Sequence, residues 1–172
     1  MKTKLKLSLC FLLALTLGIA FLPALSSAEE FSFAGPPAFT VTYPNGSAPE
    51  EKNAPVQVWA IKTPSGVVIQ ASVEPIPEGV VLKDVAEKAY KPGLEKSQGA
   101  KAKMSENKEI TLSDGTKAYY SEMDWIHAPS GGTPITTMVV SVYKDGKWVY
   151  TAGHPWENYN EPMKIVKSLK FK

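Results

Sequence analysis

Residues 135–153 read Ile-Thr-Thr-Met-Val-Val-Ser-Val-Tyr-Lys-Asp-Gly-Lys-Trp-Val-Tyr-Thr-Ala-Gly. Two runs rich in β-branched and aromatic side chains flank Asp145-Gly146. An aspartate-glycine pair suits a tight two-residue turn, because glycine supplies the positive φ such a turn needs. The stretch therefore predicts a β-hairpin, with Ile135 to Tyr143 facing Lys147 to Gly153. The same punctuation recurs upstream, where Ile110 to Ser113 faces Thr116 to Ile126 across Asp114-Gly115. Ala128 to Pro134, with two prolines and two glycines, is the loop between the hairpins.

Moving toward the N-terminus, Ser97 to Lys108 is polar and lysine-rich and reads as a mobile loop. Leu82, Val85, Ala86 and Ala89 form one apolar face at helical spacing, and Pro92-Gly93 is expected to stop or kink that helix. Val56 to Thr63 and Gly66 to Glu74 are β-branched runs separated by Pro64-Ser65, hence two strands. Ser47 to Pro55 reads as a surface loop, and Phe39 to Tyr43 as a strand closed by Pro44-Asn45-Gly46. Residues 29–38 form a flexible lead-in broken by Gly35-Pro36-Pro37. Toward the C-terminus, Asn160 is placed as an N-cap, and Met163, Ile165, Val166 and Leu169 as the stripe of a terminal helix. Strands and helices do not alternate, which argues against a parallel doubly wound sheet. The order predicts one α+β domain over residues 39–172, a mostly antiparallel sheet with helices packed on it.

The first 28 residues have a different character. Lys2, Lys4 and Lys6 precede an apolar run from Leu7 to Leu22, followed by Pro23 and the small residues Ser26 and Ala28. That is the layout of a signal peptide cleaved after Ala28. The rival is an uncleaved anchor, but the apolar run is short of the roughly 20 residues a stable span needs. Removing 28 of the 172 residues leaves 144, with 16 basic and 17 acidic side chains. The mature chain has no cysteine, since Cys10 lies in the signal, and the whole sequence has no arginine. Disulfides and thiolate chemistry are thereby excluded, and the near-balanced charge argues against nucleic-acid binding.

Phe39-Thr40-Val41-Thr42-Tyr43-Pro44 resembles the opening strand of the PsbP-like and Mog1-like group. Leu82 to Tyr90 is similar to its middle helix, Asp114 to Tyr120 to its short turn and aromatic strand, and Ile165 to Phe171 to its closing segment. Gly46-Ser47 stand where a tryptophan often follows the opening Tyr-Pro. The group includes photosystem extrinsic subunits, nuclear-transport factors and bacterial envelope proteins. The resemblance implies an α/β sandwich and partner binding, and it carries over no catalytic residue.

Chemistry-bearing constellations are few. Glu122, Asp124, His127 and His154 are the nearest approach to a metal or catalytic cluster. Glu122 and Asp124 share one strand face, whereas His127 points to the other, so a solvated strand is the better reading. No Gly-x-Ser-x-Gly, Walker or Gly-x-Gly-x-x-Gly motif is present. No metal or cofactor is expected. The aromatic residues are more informative. Trp125, Trp148, Trp156, Tyr159 and their neighbours crowd the second half of the chain, with Trp148 and Tyr150 on one strand face. They either build a two-sided core or form a recognition surface, to which we assign Trp125, Trp148, His154, Trp156 and Tyr159. The expected function is an exported, non-enzymatic domain that binds an envelope protein or small ligand. The alternatives are a hydrolase with a triad assembled in three dimensions, or a structural subunit of an envelope complex.

Overall fold

A computed structural model describes residues 28–51, 57–127, 131–154 and 159–172. The segment before Ala28, read above as a signal peptide, and Trp156 lie outside the described residues. The described residues build two antiparallel sheets and two helical segments. In order, these are β1 (Ala28–Phe33), β2 (Phe39–Pro44), β3 (Ala48–Glu51), β4 (Gln57–Lys62) and β5 (Val68–Glu74). Next comes helix α1, which opens as a 3-10 turn over Leu82–Asp84. It widens to a π turn over Ala86–Tyr90 and continues as α-helix over Lys91–Gln98. There follow β6 (Ala102–Thr111), β7 (Lys117–His127), β8 (Thr133–Lys144), β9 (Lys147–His154), α2 (Asn160–Val166) and β10 (Lys170–Phe171).

The large sheet runs β3-β4-β5-β9-β8-β7-β6, and the small one β1-β2-β10. Both Asp-Gly hairpins are present, with Asp145 itself at φ 50°. The large sheet is apolar on both faces, so both must be covered. One face carries Trp59, Ile61, Ile69, Ala71, Met138, Val140 and Val149, and packs against the small sheet and α2. The other carries Met123, Trp125, Val139, Trp148, Tyr150 and Ala152, and packs against Val85, Ala86, Tyr90 and Leu94 of α1. The crowded aromatics therefore serve first as a two-sided core.

Five expectations are corrected by this arrangement. Residues 29–38 are no flexible lead-in, because most of them form β1 and its turn. Phe31 stacks on Trp59 at 5.1 Å and gives that strand an apolar anchor. The loop expected at 47–55 contains β3, which pairs with β4. The lysine-rich loop at 97–108 is mostly edge strand β6. Its outer side meets water, and lysines on such an edge discourage pairing with another chain. The terminal helix stops at Val166, and β10 continues the chain along β2. Asn160 is the first residue of that helix rather than its cap, a place taken by Tyr159.

Pro92 does not end α1. A proline has no N–H for the carbonyl four residues back, and its ring crowds that carbonyl. The π turn just before it, closed by Lys91 N–H to the carbonyl of Ala86, widens the helix where Pro92 enters. Gly99, at φ 64°, ends the helix in the left-handed conformation instead. At the other end of the chain, Ser168 Oγ accepts the Thr42 N–H at 2.8 Å and lies 2.6 Å from the Ile165 carbonyl, which ties the end of α2 to β2. α2 also lies close on β9, since a Cβ at Gly153 would fall 3.1 Å from the Pro162 Cβ.

If β1 is an integral strand, Phe31→Ala should lower unfolding free energy by about 3 kcal/mol, the usual cost of emptying a buried phenylalanine site. Urea denaturation of the two proteins checks this. An unchanged midpoint would mean that β1 adds nothing to the core.

Candidate functional site

Among the described residues, the face under α1 is only partly roofed. Period two along β5 puts Val68, Gln70, Ser72 and Glu74 on it, opposite His154, Ala152, Tyr150 and Trp148 of β9. Trp125 and His127 of β7 continue the same face. At its open end, Val68, Gln70, Gln98, Trp125, His127, Ile135 and His154 line a cavity of ≈ 310 Å³. Gln70, Gln98 and His154 also border a second cavity, of ≈ 320 Å³, between α1 and β5. The two share a wall and form one groove. Its first half has an apolar floor of Trp125, Ile135 and Val68 and an amide and imidazole rim.

His154 is held by a hydrogen-bonded chain. The Trp125 indole N–H donates to Thr137 Oγ1 at 2.9 Å, and that oxygen lies 2.9 Å from His154 Nδ1. Thr137 is fully buried. Indole can only donate, so the threonine oxygen accepts from it, and the direction of its second bond, to Nδ1, is set by the imidazole tautomer. Burial disfavours the imidazolium and holds His154 down at about 4. The edges of both imidazoles approach Trp125, with ring centroids 5.6 Å away for His127 and 6.4 Å for His154.

The residues assigned from sequence fall in different places. Trp125 and His154 come together in this groove. Trp148 is 1% exposed and stacks on Tyr150 at 4.2 Å, so it supports the floor and touches no solvent. Tyr159 is 48% exposed and lines an adjoining cavity of ≈ 260 Å³, which shares Trp125 and Ile135 with the groove. Its hydroxyl donates to Thr136 Oγ1 at 3.2 Å, and Thr136 donates to Asp124 Oδ1 at 2.7 Å. Trp156 lies outside the described residues. Sequence reasoning passed over Gln70, Gln98 and His127 as groove residues. The signal was available in β5, where polar Gln70 and Glu74 alternate with Ile69, Ala71 and Val73.

The suspected quartet is divided by the sheet. Glu122, bonded by the Tyr120 hydroxyl, and Asp124, bonded by Thr136, lie on the face away from His127 and His154. Among the described residues no group of three or more His, Cys, Asp or Glu converges as a metal site. The closest hydroxyl–imidazole pair, Thr137 with His154, is sealed beneath the sheet surface and its oxygen is already engaged by Trp125. A larger cavity, ≈ 490 Å³, lies between β2 and α2. There Glu161 already accepts from Ser65, and the Tyr43 hydroxyl pairs with Glu29, so its polar groups are largely spoken for.

No protein-family model matches the sequence, and no curated protein matches it by sequence. Solved structures do match. Cyanobacterial PsbP (CyanoP) of Synechocystis superposes with a TM-score of 0.66 at 15% identity, over 87% of this chain and 95% of that one. The Ran-binding protein Mog1p of Saccharomyces cerevisiae gives 0.58 at 11% identity, over 84% and 95%. A point mutant of Mog1 gives 0.58 at 10% identity. The chain has the PsbP and Mog1 fold. The α+β class and the resemblance in the opening strand, middle helix and hairpin turn are thus borne out as a likeness of architecture.

The His154 imidazole sets an acid limit on stability. Its folded pKa of about 4 lies below its ordinary 6.5, so below pH 6.5 the unfolded chain takes up a proton that the fold refuses. This part of the stability is complete above pH 6.5. It should decline as pH falls toward 4, by on the order of 2–3 kcal/mol. Denaturation midpoints measured from pH 7 to 4.5 should show this decline, and His154→Gln should flatten it. An equal slope in the variant would assign the decline to other groups.

Proposed function

We propose that the chain is an exported, non-enzymatic binding domain of the cell envelope, whose site is the groove at the open end of the α1 face. The carrying observation is the groove's chemistry. An apolar floor of Trp125 and Ile135 is bordered by Gln70, Gln98, His127 and His154, groups that orient a ligand through hydrogen bonds. No described nucleophile is poised beside them. The signal-like segment supports export, and no helix among the described residues is long and apolar enough to cross a membrane. That one protein of the same fold is a Ran-binding protein supports partner binding as a use to which this architecture is put.

Two measurements test this reading. Protein secreted from its own leader should begin at Glu29 when its N-terminus is sequenced. The mature chain, presented with an envelope extract, should retain a saturable partner or ligand that Gln98→Trp displaces by filling the groove, while circular dichroism stays unchanged. Retention indifferent to that change would remove the groove from the reading. Turnover of an ester or peptide that vanishes in His154→Ala would make the protein a hydrolase instead.

A further inference from the structure

The half of the groove between α1 and β5 carries one carboxylate and no basic partner for it. Glu74, Tyr90, Tyr150, Gln70, Ser97 and His154 are its polar and aromatic wall. None of the lining residues is lysine, and His154 is neutral at pH 7. Glu74 sits half-buried at the end of β5, where the Tyr150 hydroxyl donates to it. No lysine of the described residues pairs with it in an ion pair. Burial raises its carboxyl above the ordinary range, and outweighs the Tyr150 bond that favours the charged form. Beside it, the Tyr90 and Tyr150 rings meet edge to face at 5.3 Å. Burial also lifts both phenols, so they remain uncharged donors and π surfaces at neutral pH.

A shielded carboxylate without a counter-charge among the described residues, beside aromatic rings, is chemistry for an organic cation. The carboxylate supplies attraction and a hydrogen-bond acceptor, and ring quadrupoles favour positive charge and tolerate its alkyl part. The other half of the groove then has a use. From the Glu74–Trp148 pair to the Val68–His154 pair is six residues along the sheet, about 20 Å. A cation anchored at Glu74 can lay an apolar chain from there toward Trp125 and Ile135.

We propose that this cleft binds an alkylammonium group, with the nitrogen at Glu74 and the alkyl chain directed toward the Trp125 end of the groove. The inference rests on the groove being the binding site and specifies what it takes. The ammonium is that of a free amine or of a lysine side chain on a partner, since both present the same chemistry.

Calorimetric titration and amide chemical shifts of the full mature chain at pH 7 test it, with n-hexylamine, 1-hexanol and Nα-acetyl-lysine amide as probes. Hexylamine should bind about tenfold more tightly than hexanol, with shifts at Tyr90, Gly93 and Tyr150. Glu74→Gln keeps the size and an acceptor for Tyr150, and should erase that preference while leaving hexanol binding alone. Glu74→Asp, which keeps the charge but withdraws it by one methylene, should fall between the two and guards against a fold defect in the amide variant. Acetyl-lysine amide binding as well as hexylamine would assign the ammonium to a protein side chain, and weaker binding to a free amine. Equal affinity for hexylamine and hexanol, with shifts in the cleft, would overturn the ammonium while leaving the groove as a binding site. A preference that survives Glu74→Gln would also overturn it. Absence of binding by all three probes would overturn it too, and the partner experiment above would then judge the groove on its own.

Discussion

A seven-stranded sheet with apolar side chains on both faces cannot face water on either, and the rest of the structure answers that constraint. The small sheet and α2 shield one face. Among the described residues, the other receives α1 and, ahead of it, Ile76 and Val80. The 17 residues of α1 make about 25 Å of helix, whereas β8, with 12 residues, is about 40 Å long. The roof is shorter than the floor. What it leaves uncovered is the groove, and the residues there differ accordingly. Under the helix the floor is Val139, Trp148 and Tyr150, whereas beyond its end stand Gln70, His127 and His154.

That mismatch explains why polar side chains reside at one end of an otherwise apolar face. The Trp125 N–H, the Thr137 hydroxyl and His154 Nδ1 satisfy one another in sequence, so the inner edge of the groove is closed to further hydrogen bonding. The imidazole is left with Nε2 as its remaining polar atom. The site is buried and hydrogen-bonded on its inner side and open on the other.

Much of this was legible in the sequence, and the reasons are local. Asp114-Gly115 and Asp145-Gly146 prescribe turns whatever surrounds them, so both hairpins were readable. The apolar positions Val85, Ala86 and Ala89 marked α1 by spacing alone. β1 was hidden because Glu29, Glu30 and Ser32 look like a solvated tail; only the stacking of Phe31 on Trp59, distant in sequence, makes it a strand. β6 was hidden because an edge strand needs no apolar alternation on its open side. Pro92 misled in the opposite direction, since a π turn upstream makes room for it. Within the site, Trp125 was visible as an aromatic of one predicted strand and His154 as an imidazole in the segment after another. Trp148 was not separable from Trp125 by sequence, because which of the two lies beneath α1 depends on where that helix ends. Gln70, Gln98 and Glu74 act only through a groove that no single segment contains.

The clasp between Ser168 and Thr42 spans 126 positions, and β10 pairs with β2 over a similar distance. The small sheet thus acquires its third strand only when residues 170 and 171 arrive. A polypeptide threaded through a membrane with its N-terminus leading would bring out β1 and β2 early and leave one side of β2 unpaired until the closing segment followed. Non-local pairing of this kind is slow to form. In such a passage it would hold back final closure of the fold, and leave the chain pliable, until residues 170 and 171 had followed.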